Sequence, residues 1–175
     1  GTADGISEVA LDGKPLRRAL AGVQVDAVSG GWAIAEGRVV ALATGTVVDL
    51  PDGLVATAVL AGPRGRALVG TEGAHLIPVG GPARPIPDGA FEAAAGRREW
   101  ASPWGGPPTV RSLAASPDGP LVGVHVGGVW RSEGDGWASS VPAEAGVHQV
   151  VAAGKTVAVA AASGVGLSAD GGRSW

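Results

Sequence analysis

An internal repeat constrains this sequence more than any other feature. Four glycines each close a short run of small and β-branched residues, and they fall at positions 37, 73, 128 and 164. Their spacings are 36, 55 and 36 residues, so two equal intervals flank a longer one. We infer one unit of about 36 residues used four times, with an insertion in the second unit. Units of this length bury their apolar surface against neighbouring units.

Each unit contains three short runs that are typical of β-strands, since Val, Ala and Leu alternate with glycine-rich turns. The first runs begin near Val23, Thr57, Thr109 and Val147. We expect antiparallel strands joined by short hairpins. The predicted units cover residues 23–55, 56–108, 109–146 and 147–175.

The excess length of the second unit lies at residues 78–96, which contain four prolines. Proline cannot donate to a sheet ladder, so the sequence predicts a surface loop here. Asp-Gly pairs at 52–53, 88–89 and 118–119 each follow a proline and are interpreted as turns. The alanine runs at 93–95 and 160–162 are interpreted as strands close to neighbouring sheets, rather than as helices.

Composition excludes several classes of protein. The chain has 175 residues, 45% of them hydrophobic, and a net charge of −3, which argues against disorder. The basic residues form no stripe, so a nucleic-acid partner is not expected. No apolar run is long enough to span a bilayer. There is no cysteine, so disulfides and thiolate metal sites are excluded, and no cofactor or metal is predicted.

The most specific motif closes the sequence. After its third run the fourth unit reads Ser-Ala-Asp-Gly-Gly-Arg-Ser-Trp at residues 168–175. In a hairpin turn, Asp170 can accept backbone N–H bonds and the glycines can adopt positive φ. The third unit has a shortened version, Ser-Glu-Gly-Asp-Gly-Trp. The residues assigned to this structural motif are Ser168, Asp170, Gly172, Trp175, Ser132, Asp135 and Trp137.

This motif resembles the Asp box, Ser-x-Asp-x-Gly-x-Thr-Trp, with Ser174 in the threonine position. It is similar to the BNR repeats of sialidase-like and sortilin-like β-propellers, and residues 31–37 resemble a strand of photosystem II assembly factor-like propellers. The resemblance implies an all-β fold of four-stranded antiparallel blades, with four visible here. It also implies that the box caps turns on the periphery, away from the ligand face.

The fourth unit stops after three strands, which would leave an exposed ladder edge. Three explanations stay open. Residues 1–22 could supply one or more closing strands; the chain could belong to a longer ring; or two copies could complete one ring. Because the sequence starts at Gly1 rather than Met, we expect a processed protein or a piece of a longer one. The longer ring is favoured.

Candidate binding residues are those expected to face the central channel or one face of the ring: Asp26, Arg111 and His148. Glu36 and Glu72 precede matching glycines and are interpreted as serving a structural need in each blade. The histidines at 75, 125 and 148 lie on different predicted strands, and their spacing does not predict a metal site.

The chain lacks tyrosine, and therefore the nucleophile that a sialidase resemblance implies. No catalytic residue is assigned. The sequence thus favours a non-catalytic scaffold that binds a protein or glycan. The alternative is a fragment of a glycoside hydrolase, either xyloglucanase-like or sialidase-like. An extracytoplasmic or secreted location is favoured.

Overall fold

The computed structural model describes residues 3–51 and 53–175. Asp52, in one of the predicted turns, lies outside the described residues. The fold is all-β, as the sequence predicts, and every strand pairing is antiparallel. No helix in the described part of the chain has the length and apolarity needed to cross a membrane.

The strands form a short hairpin followed by four sheets, which we call sheets I to IV. The N-terminal hairpin contains β1 (Ile6–Val9) and β2 (Pro15–Ala19). Sheet I contains β3 (Val25–Ser29), β4 (Trp32–Ala35), β5 (Arg38–Ala41) and β6 (Thr46–Val48). Sheet II contains β7 (Ala56–Ala61), β8 (Ala67–Thr71) and β9 (Leu76–Val79).

Sheet III contains β10 (Val110–Ser116), β11 (Gly119–Val124), β12 (Gly128–Glu133) and β13 (Gly136–Val141). Sheet IV contains β14 (Val147–Ala153), β15 (Thr156–Ala161) and β16 (Gly164–Ser168). One short α-helix, α1 (Gly89–Glu92), follows sheet II. Short 3₁₀ turns cover Pro63–Gly65, Arg97–Glu99 and Ala143–Ala145.

Within each sheet the strands lie in chain order, because hairpins connect them. The glycines that define the repeat lie at the junction of the second and third strands: Gly37 and Gly73 are in the turn, and Gly128 and Gly164 are the first residues of the third strand. Their φ angles are +73°, +76°, +80° and +128° for Gly37, Gly73, Gly128 and Gly164. Side chains with a Cβ rarely adopt these angles, so the turn chemistry explains the spacing observed in the sequence.

Neighbouring sheets pack face to face through separate apolar clusters. Trp32 and Ile34 of sheet I pack with Val69 and Ile77 of sheet II. Sheet III is buried on both faces, since consecutive residues of β11 belong to different clusters. Val122 packs toward sheet II, and Leu121 packs toward sheet IV. The sheets therefore follow one another in chain order, as the repeat predicts.

The sheets approach one another mainly at their first strands, β3, β7, β10 and β14. A side-chain hydroxyl bridges each successive pair. The Ala61 N–H donates to Ser29 Oγ (2.9 Å), Thr57 Oγ1 donates to the Val110 carbonyl (2.7 Å), and the Val150 N–H donates to Ser112 Oγ (2.8 Å). Each hydroxyl gives a hydrogen-bond partner to a backbone N–H or C=O group of a first strand that points away from the ladder of its own sheet.

The N-terminal hairpin does not supply a strand to sheet IV. β1 pairs with β2, and sheet IV has three strands in the described part of the chain. Ile6 and Leu20 instead pack against the cluster of Val25, Ala33 and Val40 on sheet I. In the described residues 3–22, therefore, the hairpin packs on sheet I through Ile6 and Leu20 and does not close sheet IV.

The insertion at residues 78–96 is only partly the surface loop that its prolines predict. Asp88 caps α1, with Oδ1 accepting the N–H groups of Ala90 (2.9 Å) and Phe91 (3.1 Å). Phe91 is fully buried, against Trp100 and Trp137. The alanine run at 93–95 follows this helix and is not a strand, whereas Ala160 and Ala161 do lie in β15.

Candidate functional site

One irregularity recurs at the same place in all four first strands. The register shifts between Val25 and Ala27, between Ala56 and Ala58, between Val110 and Ser112, and between Val147 and Gln149. A β-bulge of this kind leaves one residue unpaired, bends the strand and re-aims the side chain. The four unpaired residues are Asp26, Thr57, Arg111 and His148.

The bulged residues line one cleft, to which each sheet contributes one of them. The cleft has a volume of about 550 Å³ and is also lined by Glu72, Ser112 and Gln149. A second cleft of about 540 Å³ continues along the first strands and shares Asp26, Thr57 and Arg111. The three residues selected from the sequence, Asp26, Arg111 and His148, are thus brought together. We call the cleft lined by these three residues and Thr57 the bulge cleft.

Sequence reasoning missed Thr57. The available signal was a polar residue directly after Val or Ala at the start of each first run: Val-Asp, Ala-Thr, Val-Arg and Val-His. From its sequence position, Thr57 is placed only at the start of its strand. In the structure its hydroxyl is also committed to the bridge toward sheet III.

Charges of both signs border the bulge cleft. Asp26 and Glu72 are acidic, and Arg111 is basic. Asp26 Oδ1 accepts a hydrogen bond from Gln24 Nε2 (2.8 Å). Within the described residues, neither Asp26 nor Arg111 forms a salt bridge. Both side chains line the cleft. Because neither is neutralised by an ion pair within the described residues, both charges can interact with a ligand.

A row of rings extends from the cleft to the surface. His148 lies 5.2 Å from His125, and His125 lies 5.2 Å from Trp104, measured between ring centroids. His125 is buried, whereas 79% of Trp104 is exposed. Burial lowers the pKa of His125 below its usual value, and the nearby charges of Arg111 and His148 lower it further. The neutral imidazole is therefore the stable form in the folded protein.

This environment predicts a loss of stability in mild acid. Because the pKa of His125 is lower in the folded chain, the unfolded chain binds the proton more readily once the pH falls below about 6.5. We expect the free energy of unfolding, measured by urea titration, to fall between pH 7.5 and pH 5. The His125→Phe variant should lose less over this interval. Equal pH dependence in both proteins would contradict the assignment.

Glu36 and Glu72, which precede two of the repeat glycines, have different surroundings in the structure. Glu36 has φ of +51° in the tight turn between β4 and β5, where it pairs with Arg38 (3.2 Å). Glu72 instead forms an isolated antiparallel backbone β-bridge with Thr109, and it lines the bulge cleft. Glu36 and Glu72 follow equivalent residues of the second strand, Ala35 and Thr71, but the turns that begin there differ in length, so the two side chains do not share one structural role.

The third histidine, His75, belongs to a network in the insertion. Its Nδ1 lies 2.9 Å from Glu92 Oε1, and Arg97 pairs with the other oxygen of Glu92 (2.9 Å). Arg97 also donates to the carbonyl of Ala74 (2.6 Å). This network attaches the insertion to sheet II. No group of three or more potential metal ligands occurs among residues 3–51 and 53–175.

The complete box at residues 168–175 is a dense hydrogen-bonded turn. Asp170 Oδ1 accepts the N–H groups of Arg173 and Ser174 (2.9 Å each), and Oδ2 accepts the Ser174 hydroxyl (2.5 Å). Ser168 Oγ accepts the Gly172 N–H (2.9 Å) and donates to Asp170 Oδ1 (2.8 Å). These bonds, with the Ser174 hydroxyl foremost, hold the pKa of Asp170 far below its usual value.

The same box also joins sheet IV to sheet III. Trp175 Nε1 donates to Ser140 Oγ (3.0 Å), and Ser140 Oγ donates to the Gly172 carbonyl. Arg173 pairs with Asp118, in the turn between β10 and β11. The box at residues 168–175 lies away from the bulge cleft, since none of its residues lines that cleft.

The shortened box at Asp135 differs. β12 and β13 are joined directly through Gly134 and Asp135, so the turn is a two-residue hairpin. Among the described residues, the Asp135 side chain accepts no hydrogen bond from this turn. Asp135 therefore lacks the hydrogen bonds that Asp170 makes, and its assignment as a turn cap has no hydrogen bond behind it in the described part of the chain. Trp137 packs on Phe91.

The contrast between the two boxes gives a direct test. Asp170→Ala removes the acceptor of several hydrogen bonds, so we expect a clear fall in melting temperature. Asp135→Ala, in a turn held by its ladder, should leave the melting temperature within error. Both are read by circular dichroism. Equal effects of the two substitutions would contradict the description of Asp170 as the cap.

Solved structures with a similar fold include two of the same extracellular domain. No family model and no curated protein matches the sequence. The extracellular domain of BT4673 from B. thetaiotaomicron, described as a hybrid two-component system, aligns with a TM-score of 0.55 and 14% identity over 78% of this chain. A second structure of that domain, described as part of a one-component system, aligns with a TM-score of 0.54 and 14% identity.

The matched part of this chain covers 19% and 20% of those two chains, about a fifth of their length. At this identity the likeness concerns the fold alone. This chain is therefore similar in fold, over 78% of its length, to part of a larger extracellular domain.

Proposed function

We propose that the four sheets are blades of an Asp-box β-propeller that continues into a larger ring. The order of the sheets, their approach at the first strands and the box that joins sheet IV to sheet III support this proposal. Propellers place the first strand of each blade along a central channel. The bulge cleft would then lie at this channel.

We further propose that the module is non-catalytic and binds a protein or glycan in the bulge cleft. One observation carries this proposal: the same bulge occurs in all four first strands and presents Asp26, Thr57, Arg111 and His148 to one cleft. Bulges disrupt ladder pairing and are concentrated near functional sites.

The similarity to an extracellular domain of a signalling protein supports a location outside the cytoplasm. The absence of cysteine agrees with that location without requiring it. In this setting the bulge cleft would bind a ligand, and the larger protein that contains it would transmit the binding signal.

The test uses two sets of probes: a panel of neutral and carboxylated oligosaccharides, and a random-peptide library. Binding to the ¹⁵N-labelled chain is followed by NMR. We expect binders to shift the amides around the bulged residues. The double variant Arg111→Ala/His148→Ala should weaken binding at least tenfold. Arg84→Ala, on the exposed insertion, is the matched control. Binders that map elsewhere, or that bind the double variant equally well, would contradict the proposal.

A second candidate, part of a glycoside hydrolase, has one observation in its favour. Two carboxylates, Asp26 and Glu72, border the same cleft, and glycosidases use such pairs. Hydrolysis of an oligosaccharide that is lost in both Asp26→Ala and Glu72→Ala would establish this activity and overturn the non-catalytic proposal.

A further inference from the structure

Trp104 is the most exposed aromatic side chain of the described residues, since 79% of its surface is accessible. The chain has few aromatic residues: six Trp, one Phe and no Tyr. Three of the other tryptophans, Trp32, Trp100 and Trp130, are buried. Tryptophan is enriched at binding interfaces because it combines a large apolar ring with a polar N–H group. The position of Trp104 therefore suits contact with a ligand.

The loop that carries Trp104 is held by backbone hydrogen bonds on both sides of this residue. The Ala101 N–H donates to the Val126 carbonyl (2.9 Å), which ties the start of the loop to sheet III. The Gly105 N–H donates to the Ser102 carbonyl (3.1 Å), which closes a turn around the tryptophan. A side chain that is already positioned costs less conformational entropy when a ligand binds to it.

The row of rings connects Trp104 to the bulge cleft. His125 lies between Trp104 and His148, at 5.2 Å from each as measured between ring centroids. His148 lines the bulge cleft beside Arg111. A ligand that occupies the cleft and extends past His148 would therefore contact the exposed indole.

The polar lining of the bulge cleft argues against a peptide as its ligand. Extended peptides commonly add a strand to an exposed sheet edge, where they bind free backbone groups. Here the hydroxyl of Thr57 already donates to a carbonyl of β10, and the hydroxyl of Ser112 already accepts an N–H of β14. Hydroxyl, amide, carboxylate and guanidinium groups make up most of the remaining lining. The cleft therefore favours a ligand with many hydroxyl groups of its own.

The charges on the lining favour an uncharged ligand. Two carboxylates, Asp26 and Glu72, line the bulge cleft together with one guanidinium, that of Arg111. An anionic ligand would be repelled by the two carboxylates, and like charges brought together at an interface are costly. Neutral hydroxyl groups can donate to a carboxylate and accept from a guanidinium. Both signs of charge on the lining can therefore bind the same uncharged ligand.

We propose that Trp104 and the bulge cleft together bind an uncharged oligosaccharide, with one sugar ring stacked on the indole and the next rings in the cleft. This inference rests on the proposed binding role of the cleft and names its ligand. A sugar ring has hydroxyl groups at its rim and C–H groups on its faces. An aromatic ring can therefore cover one face and leave the hydroxyl groups free for polar partners. An oligosaccharide, rather than a single sugar, is needed to reach from Trp104 past His125 to Arg111.

A glycan array that carries neutral, carboxylated and sulfated oligosaccharides tests the class of ligand. We expect the 175-residue chain to bind neutral glycans at least as tightly as the acidic ones. Tighter binding of the acidic glycans would overturn the inference. Binding of library peptides in the cleft, without any glycan, would overturn it and leave the proposed function standing. If neither glycans nor peptides bind, both the inference and the proposed function are wrong.

Substitutions of Trp104 test the stacking contact, with calorimetry on the tightest neutral glycan. Trp104→Ala should raise the dissociation constant about tenfold or more, because aromatic anchors dominate binding energy. Trp104→Leu, apolar but not flat, should lose as much, whereas Trp104→Phe should keep most of the affinity. Ile86→Ala, at an exposed apolar position of the insertion, is the matched control and should bind as the unmodified chain does. Unchanged affinity of Trp104→Ala would overturn the inference and leave the proposed function standing.

The indole resonances give a second measurement, which does not depend on the affinity of any variant. The ¹⁵N-labelled chain has six tryptophans, and the resonance absent from Trp104→Phe identifies Trp104. A bound neutral glycan should shift this resonance more than those of the buried Trp100 and Trp130. A glycan that shifts the amides of the bulged residues but not the Trp104 indole would overturn the inference.

Discussion

Replacing Gly128 with alanine should destabilise the chain by about 4 kcal/mol or more, near the upper end for single substitutions. Two costs combine. Gly128 has φ of +80°, where a side chain costs about 1–2 kcal/mol. An added Cβ would also lie 2.0 Å from the Val141 carbonyl oxygen, so the β12–β13 ladder would have to shift. Urea unfolding followed by circular dichroism measures the loss.

Gly134→Ala is the matched control, because it separates the steric cost from the conformational one. Gly134 also has positive φ (+57°), but a Cβ there would meet nothing within 4 Å. Its expected cost is about 1 kcal/mol. If both variants lose the same stability, the close packing of the repeat glycine against the end of β13 is not as described.

Phe91→Ala should have the other large effect, about 3–5 kcal/mol, since a fully buried phenylalanine leaves a cavity when truncated. Its ring lies 5.3 Å from that of Trp100 and 5.2 Å from that of Trp137. The phenylalanine thus fills the gap between the insertion and sheet III. A fall in the urea midpoint at unchanged slope would report this loss.

Ile86→Ala, in the same insertion but with 66% of Ile86 exposed, is the control and should change stability by less than about 0.5 kcal/mol. The pair tests whether the insertion is part of the core. A near-neutral Phe91→Ala would mean that residues 78–96 form a detachable loop, as the prolines alone suggest.

The all-β fold was predictable because its determinants are local. Each hairpin depends on a glycine at positive φ, and the runs between the glycines are rich in Val and Ala. The recurrence of Gly37, Gly73, Gly128 and Gly164 after similar strand-like runs therefore indicates the strand order before any contact between sheets is known.

The features that the sequence did not reveal are non-local. Asp88 looks like a turn residue after a proline, and only the burial of Phe91 explains why a helix forms behind it. Likewise, the loop around Asp135 is close to a box in sequence, but it is a two-residue hairpin, shorter than the turn that Asp170 caps. Glu36 and Glu72 share a neighbour in sequence but not a turn geometry.

The candidate site was partly predictable. Asp26, Arg111 and His148 were selected as residues facing a channel or face, and all three line the bulge cleft. Their common origin in a bulge was not predictable, since register depends on pairing with the second strand of each sheet. Thr57 was missed for the same reason. What binds in the cleft stays a prediction.

The central claim is that the sheets converge on their first strands. Spin labels on cysteines introduced into sheets I and III measure this directly, with one pair at Asp26 and Arg111 and another at Val47 and Ser139. Convergence predicts a clearly shorter distance for the first-strand pair than for the last-strand pair. Parallel stacking, with sheets about 10 Å apart, would give roughly 20 Å for both pairs and would contradict the account.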